Sequence, residues 1–298
     1  MIKGYTNNNE GEFYMRKFFV LVMMLVIMVT SGCSAKKDEY IYRLDIDDEV
    51  NINDSLTIKE IKKGVLVVNH KFPWDGNSMI IEMKNSEIAL IDTPYENEAT
   101  RKIIEWVRER AGQEVELIEI NTGFHFDNLG GNKYLAEQDI KIIGTSKTVN
   151  MVKERGEDAR KLFLDWLKAP ELKKYYDVYT KLEYIEPTEI VNIDIDEEVE
   201  IAFGDEKLVL YYPQESHSPD NIVVYYPSKK VLFGGCMVKS AESENLGNTA
   251  DANIMGWSES IKKLKRKYSE KSVDVIVPGH GEVGDYSLLE NTENLLEQ

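Results

Sequence analysis

Short apolar runs of strand type occur in two separate groups along the chain, each followed by helical periodicity, and this repeated plan most limits the fold. GVLVVNHK, SMIIEMK and EIALIDT, separated by Gly76-Asn77 and Asn85-Ser86, predict an antiparallel meander. Glu96 to Ala111 then carries helical spacing at Ile103, Ile104 and Val107, and VELIEI predicts the next strand. A helix from about Gly131 to Glu137, the strand IKIIG and a helix capped by Ser146 complete the first half. The second half repeats the order with KLVLYYP, NIVVYYP and KVLFGG, a helix from Trp257 to Tyr268, the strand VDVIVP and a last helix from Asp285 to Leu296. Strands first and helices after, twice over, imply an α/β chain with two sheets packed face to face and helices outside. Between the halves, 157–186 is rich in Leu and Tyr, carries Trp166 and is broken at Pro170, which predicts one or two inserted helices, structural or a lid beside a site.

The first forty residues are different in character. Met15-Arg16-Lys17 precedes FFVLVMMLVIMV and then Thr-Ser-Gly-Cys, ending at Cys33. A basic start, an apolar run too short for a comfortable membrane span and small residues before a cysteine predict a secretory signal over 1–32, with Met15 the initiator. A linker over 33–40 and a single domain over 41–298 follow. Cys33 is placed as a lipid-acceptor cysteine would be, which predicts an exported protein of the periplasm or cell envelope, lipid-anchored or simply cleaved. With Cys33 so used, Cys236 is a lone thiol where disulfides form, and metal ligation is one reason to keep it. The formal charge of −17 argues against nucleic acid as a partner, because phosphate binding rests on clustered Lys and Arg.

The chain has four histidines. Three stand at turn-rich strand ends: His125 in GFHFD, His217 in QESHSPDN and His280 in VPGHGE. With Asp127 and Cys236 they form a set of zinc-ligand types, and three protein ligands with an open position is the arrangement of a catalytic zinc site. On an extended segment positions 123, 125 and 127 face one side, yet position 123 is a glycine, which cannot ligate. His70 lacks such a context and reads as structural or loop-lining.

FHFDNLGG, the His217 segment, GGCMVKS and VPGHGEVGD together resemble, in order and separation, the four metal motifs of the zinc-dependent (class B) β-lactamases. The resemblance covers nearly all of the chain after the leader. It implies an αβ/βα sandwich of two mixed sheets with the metal site at their shared edge, a monomer, and hydrolysis of the β-lactam amide. Asp127, Cys236 and His280 match the family's thiolate-containing zinc site. His125 and His217 match two of the three histidines of its other site, with Gly123 in the third place, which implies one firmly held Zn2+ and a second weak or absent. NT-x-aromatic-His-x-Asp and HSPDNIVVYYP are similar to the mono-zinc, carbapenem-selective subclass, whereas GGCMVKS and GHGEVGD are closer to the di-zinc enzymes. Asn128 departs from the arginine common to both. The insert with Trp166 is similar to a helix that roofs the mono-zinc site.

The resemblance further implies that Lys239 pairs with the substrate carboxylate, that Asn248 contacts a carbonyl, that His125 or Asp127 deprotonates water and that His217 positions the water or the lactam carbonyl. Two other readings fit the same residues: a hydrolase of thioesters or lactones on the same fold, and a non-catalytic zinc-binding lipoprotein.

Overall fold

The computed structural model describes residues 40–298. The signal over 1–32 and nearly all of the linker over 33–40, Cys33 included, lie outside the described residues. Residues 42–298 form one compact unit.

The meander expected from the sequence begins two strands earlier than the apolar runs. β1 (Glu49–Asn53), β2 (Leu56–Lys62), β3 (Val65–Lys71), β4 (Asp75–Glu82) and β5 (Ile88–Ile91) pair antiparallel in sequence order. β6 (Leu117–Ile120), β7 (Lys141–Thr145) and β8 (Glu189–Val191) then add in parallel, so the first sheet has eight strands and is mixed. The second sheet, ordered β13-β12-β11-β10-β9, comprises β9 (Glu197–Phe203), β10 (Glu206–Tyr212), β11 (Val223–Tyr226), β12 (Val231–Gly235) and β13 (Val275–Pro278). Only its β12–β13 pair is parallel.

The central strands are continuous apolar runs because both of their faces are covered. On β3, Val65 and Val67 enter a core shared with Leu208, Leu210, Val224 and Phe233 of the second sheet. Their neighbours Leu66 and Val68 pack on the opposite face, against Ile103, Ile104 and Val107 of α1 (Asn97–Ala111) and Leu135 of α3 (Asn132–Glu137). The outer face of the second sheet meets Trp257, Ile261 and Leu264 of α6 (Ile254–Lys267), and Leu288 and Leu289 of α7 (Ser287–Leu296). The result is the expected sandwich, helix–sheet–sheet–helix.

Two local expectations change. The helix near Ser146 is capped by Thr145, whose hydroxyl accepts the Thr148 amide at 3.0 Å, and Ser146 is its first residue. That helix, α4, continues to Trp166, so the expected insert over 157–186 is not separate: its first third is the C-terminal part of α4 (Ser146–Trp166). Nothing in 146–166 breaks helical spacing; the helix ends at Trp166, the chain turns over 167–168, and Pro170 opens a short 3-10 turn into α5 (Lys173–Tyr179). Leu167, Tyr179 and Leu182 are buried with Tyr95 and Phe126, which seats this segment over the loops that leave β3, β5 and β6.

Candidate active site

The residues with metal-ligand chemistry gather at one rim of the sandwich, beyond the C-terminal ends of β6, β10, β12 and β13. Sites in open α/β sheets form at such strand ends. The loop leaving β6 is folded around Asp92, which follows β5 and is fully buried. Asp92 accepts hydrogen bonds from the Thr122 amide (2.7 Å), the Thr122 hydroxyl (2.6 Å) and Asn128 Nδ2 (2.8 Å). Burial pushes its carboxyl up to about 8 against those three donors. This anchoring places His125 immediately before the single turn α2 (Phe126–Leu129) and Asp127 within it.

Asp127, Cys236 and His280 come together as the sequence implied, their ligand atoms all within 4.8 Å of one another. Cys236 Sγ is 3.0 Å from Asp127 Oδ2, and His280 Nε2 is 3.1 Å from that same oxygen. The His280 Nδ1–H donates to the Asp75 carbonyl at 2.6 Å, which leaves Nε2 to face the cluster. The Gly281 amide donates to Asp75 Oδ2, and Asn77 Nδ2 to the carbonyls of Pro278 and Gly281, so the start of β4 fixes the His280 loop.

Burial opposes the charge on Asp127, but the hydrogen bond and charge of His280 and the charge of His125 outweigh it and hold the carboxyl well below its usual range. Burial and the neighbouring Asp127 both push the Cys236 thiol up. A thiol and a carboxylate buried side by side want a cation, because a bound divalent ion deprotonates a coordinating thiol. Sulfur, imidazole and carboxylate together fit zinc.

His125 and His217 lie beside this cluster with ring centroids 5.2 Å apart. His125 Nε2 is 3.0 Å from Asp251 Oδ2, and Asp251 Oδ1 is 2.7 Å from Arg155 Nη2 on α4. Burial lowers the His125 pKa, but the Asp251 hydrogen bond and the charge of Asp127 more than reverse this, and the net shift is upward. His217 is buried against Trp257, its Nδ1 has no partner among the described residues, and burial followed by the charges of His125 and Lys239 holds it neutral.

At Gly123 a Cβ would sit 2.6 Å from Asn221 Nδ2 and 2.9 Å from Asn128 Oδ1. The space a third ligand would need is therefore filled by two buried asparagine side chains. Asn221 is itself tied down, its Oδ1 accepting the Ser218 amide at 2.9 Å.

His125, Asp127, His217 and His280 floor a cavity of about 410 Å³. Lys239 and Asn248 line it, as does Trp166 on the roof helix. Lys239 is 7% exposed, makes no ion pair among the described residues and holds Nζ 5.3 Å from the Trp257 ring centroid. Burial lowers its pKa, and the nearby Cys236 and Asp127 partly restore it. Asn248 Oδ1 accepts the Ala250 amide. His70 does not line the cavity; it is buried and stacked on Phe72 at 5.3 Å, a packing residue.

Sequence reasoning missed Asp251, three residues past Asn248, and Arg155, which is far from it in the chain. It also missed Trp74, in the β3–β4 turn, whose ring meets Trp166 at 6.2 Å across the cavity mouth. A tryptophan in a Phe-Pro-Trp-Asp-Gly turn was the available signal, since large side chains on turns tend to serve function.

Fold and site together define a metal-dependent hydrolase with its chemistry at a sheet edge, and comparison with known proteins gives the family. A family model described as the metallo-beta-lactamase superfamily matches residues 72–280. A "Metallo-beta-lactamase type 2" of Bacillus sp. (strain 170) is 31% identical over 250 residues, 83% of this chain and 84% of that protein. One from Bacteroides fragilis is 28% identical over 285 residues, 95% of this chain and 97% of its own. Among solved structures, a metallo-beta-lactamase from Pontibacter korlensis aligns with a TM-score of 0.67 and 27% identity, covering 82% of this chain and 99% of that one. The chain belongs to the metallo-β-lactamase superfamily, a zinc-dependent family, and stands among its β-lactam hydrolases.

Proposed function

We propose that the protein is an exported, monomeric metallo-β-lactamase that works with one firmly held zinc and favours carbapenems. The observation that carries this reading is the convergence of Asp127, Cys236 and His280 beneath a cavity that also presents Lys239. Those three residues would hold the zinc, which when bound supplies a Lewis acid beside the breaking amide. A second ion would be weakly held or absent, because His125 and His217 gain no third ligand at Gly123.

The chain's own groups account for the remaining work. Asp127 is a weak base, pinned between Cys236 and His280 with its pKa depressed. His125 is the better general base: with Nε2–H given to Asp251, Nδ1 is the nitrogen free to take a proton from water. His217, neutral and with an uncommitted Nδ1, positions that water or the lactam carbonyl. Lys239 pairs with the substrate carboxylate, and its freedom from ion pairs among the described residues suits that task. Asn248 contacts a carbonyl, while Trp166 and Trp74 narrow the entrance to small substituents. The basic-apolar-cysteine leader supports delivery to the periplasm or cell envelope, with Cys33 as lipid acceptor.

Hydrolysis of a carbapenem and a penicillin, followed by absorbance with and without a chelator, tests the reading. Chelator-sensitive cleavage of the carbapenem in preference to the penicillin is expected. Equal cleavage of both would refute the preference, and cleavage of neither would favour a thioester or lactone hydrolase or a zinc-binding lipoprotein.

A further inference from the structure

One face of α4 serves two purposes. Ala159, Leu162, Phe163 and Trp166 line the cavity, and Arg155 lies on the same stripe, four, seven, eight and eleven residues before them. Arg155 does not line the cavity itself. It reaches Asp251, in the loop before α6, at 2.7 Å.

Asp251 is a shared carboxylate. Oδ1 accepts from the arginine on the roof and Oδ2 from His125 Nε2 on the floor, and the side chain is 7% exposed. A histidine whose one ring nitrogen donates to a held carboxylate has both its ring plane and its tautomer fixed. If the carboxylate loses its second anchor it can rotate, and the imidazole is then free to turn with it.

We propose that Arg155 is a positioning residue: by holding Asp251 it keeps the His125 ring in place with its proton on Nε2 and the Nδ1 lone pair free, so that the seat of the roof helix and the readiness of the histidine are set together. The proposal rests on the role given to His125 above. An ordinary surface ion pair would behave differently. Arg155 is about half exposed, and such pairs contribute little to stability.

The test uses the full chain supplied with zinc and labelled with nitrogen-15 in its histidine rings, as wild type, Arg155→Ala, Arg155→Lys and Asp251→Asn. With four histidines the spectrum is tractable, and loss of a signal in His125→Gln assigns it. Arg155→Ala and Asp251→Asn are expected to convert the His125 signal from the Nε2–H pattern to a tautomer mixture. Arg155→Ala should also lower kcat about tenfold to a hundredfold, the usual cost of losing a group that orients a site histidine, with KM little changed. Arg155→Lys should recover most of both. An unchanged His125 pattern in Arg155→Ala would overturn the proposal, as would a rise in KM with kcat intact. If the wild type cleaves no β-lactam, the hydrolytic reading fails, and the ring signals still decide whether Arg155 sets His125.

Discussion

Cys236 Sγ lies 3.0 Å from Asp127 Oδ2, and this contact is among those that join the two halves of the sandwich at the site. Asp127 comes from the first sheet's side, after β6, and Cys236 from the second, after β12. Cys236→Ala should therefore remove a ligand and also an inter-sheet contact. Zinc affinity, measured by competition with a chromophoric chelator, is expected to fall by more than about a hundredfold, because losing even a group that only supports a ligand costs 10–100-fold. Retained affinity and turnover would mean that the thiolate is not a ligand.

Lys239→Ala should act on substrate binding. A hydrogen bond to a charged group contributes about 1.5–3 kcal/mol, so KM for a carboxylate-bearing β-lactam is expected to rise about tenfold or more. Steady-state kinetics on a β-lactam and its methyl ester checks the assignment, since the ester should discriminate poorly between wild type and variant.

Gly123 is constrained by packing as well as by chemistry. Asn221 and Asn128 already occupy the space where a side chain would start. Gly123→Ala should destabilise the protein by about 1–3 kcal/mol, the cost of overpacking a filled core, read from urea unfolding. Gly123→His alone should share that penalty and fail to gain a tight second zinc; a variant of wild-type stability binding two zinc ions would contradict this.

His70 should contribute to acid sensitivity. Burial lowers its pKa to about 4, whereas an unfolded histidine titrates near 6.5. The unfolded chain therefore binds the proton first, so the stability owed to a neutral His70 is fully present above about pH 6.5 and is lost as pH falls toward 4. The loss amounts to about 3 kcal/mol. His70→Leu should flatten that part of the stability–pH curve; an identical acid-side slope in the variant would remove His70 from the account.

The central strands were legible in the sequence because burial on both faces leaves an unbroken apolar run, as in Val65 to Val68. β9 was not, because its sequence EEVEIAF places glutamates on an exposed face of an edge strand. Acidic edge strands resist edge-to-edge pairing, and the same charges hide them from a search for apolar runs. The residues brought together at the site carried rare types at turns, a pattern that survives without a structure. Asp251 and Arg155 did not stand out, since one acid and one arginine in a chain with 53 acidic and 36 basic residues are conspicuous only once the fold sets them beside His125.

Whether Asp127, Cys236 and His280 hold a single zinc is decided by titrating zinc into metal-free protein while following carbapenem hydrolysis. Activity should rise linearly and reach its plateau at one equivalent; activity that stays absent at one equivalent and appears only with the second would contradict the account.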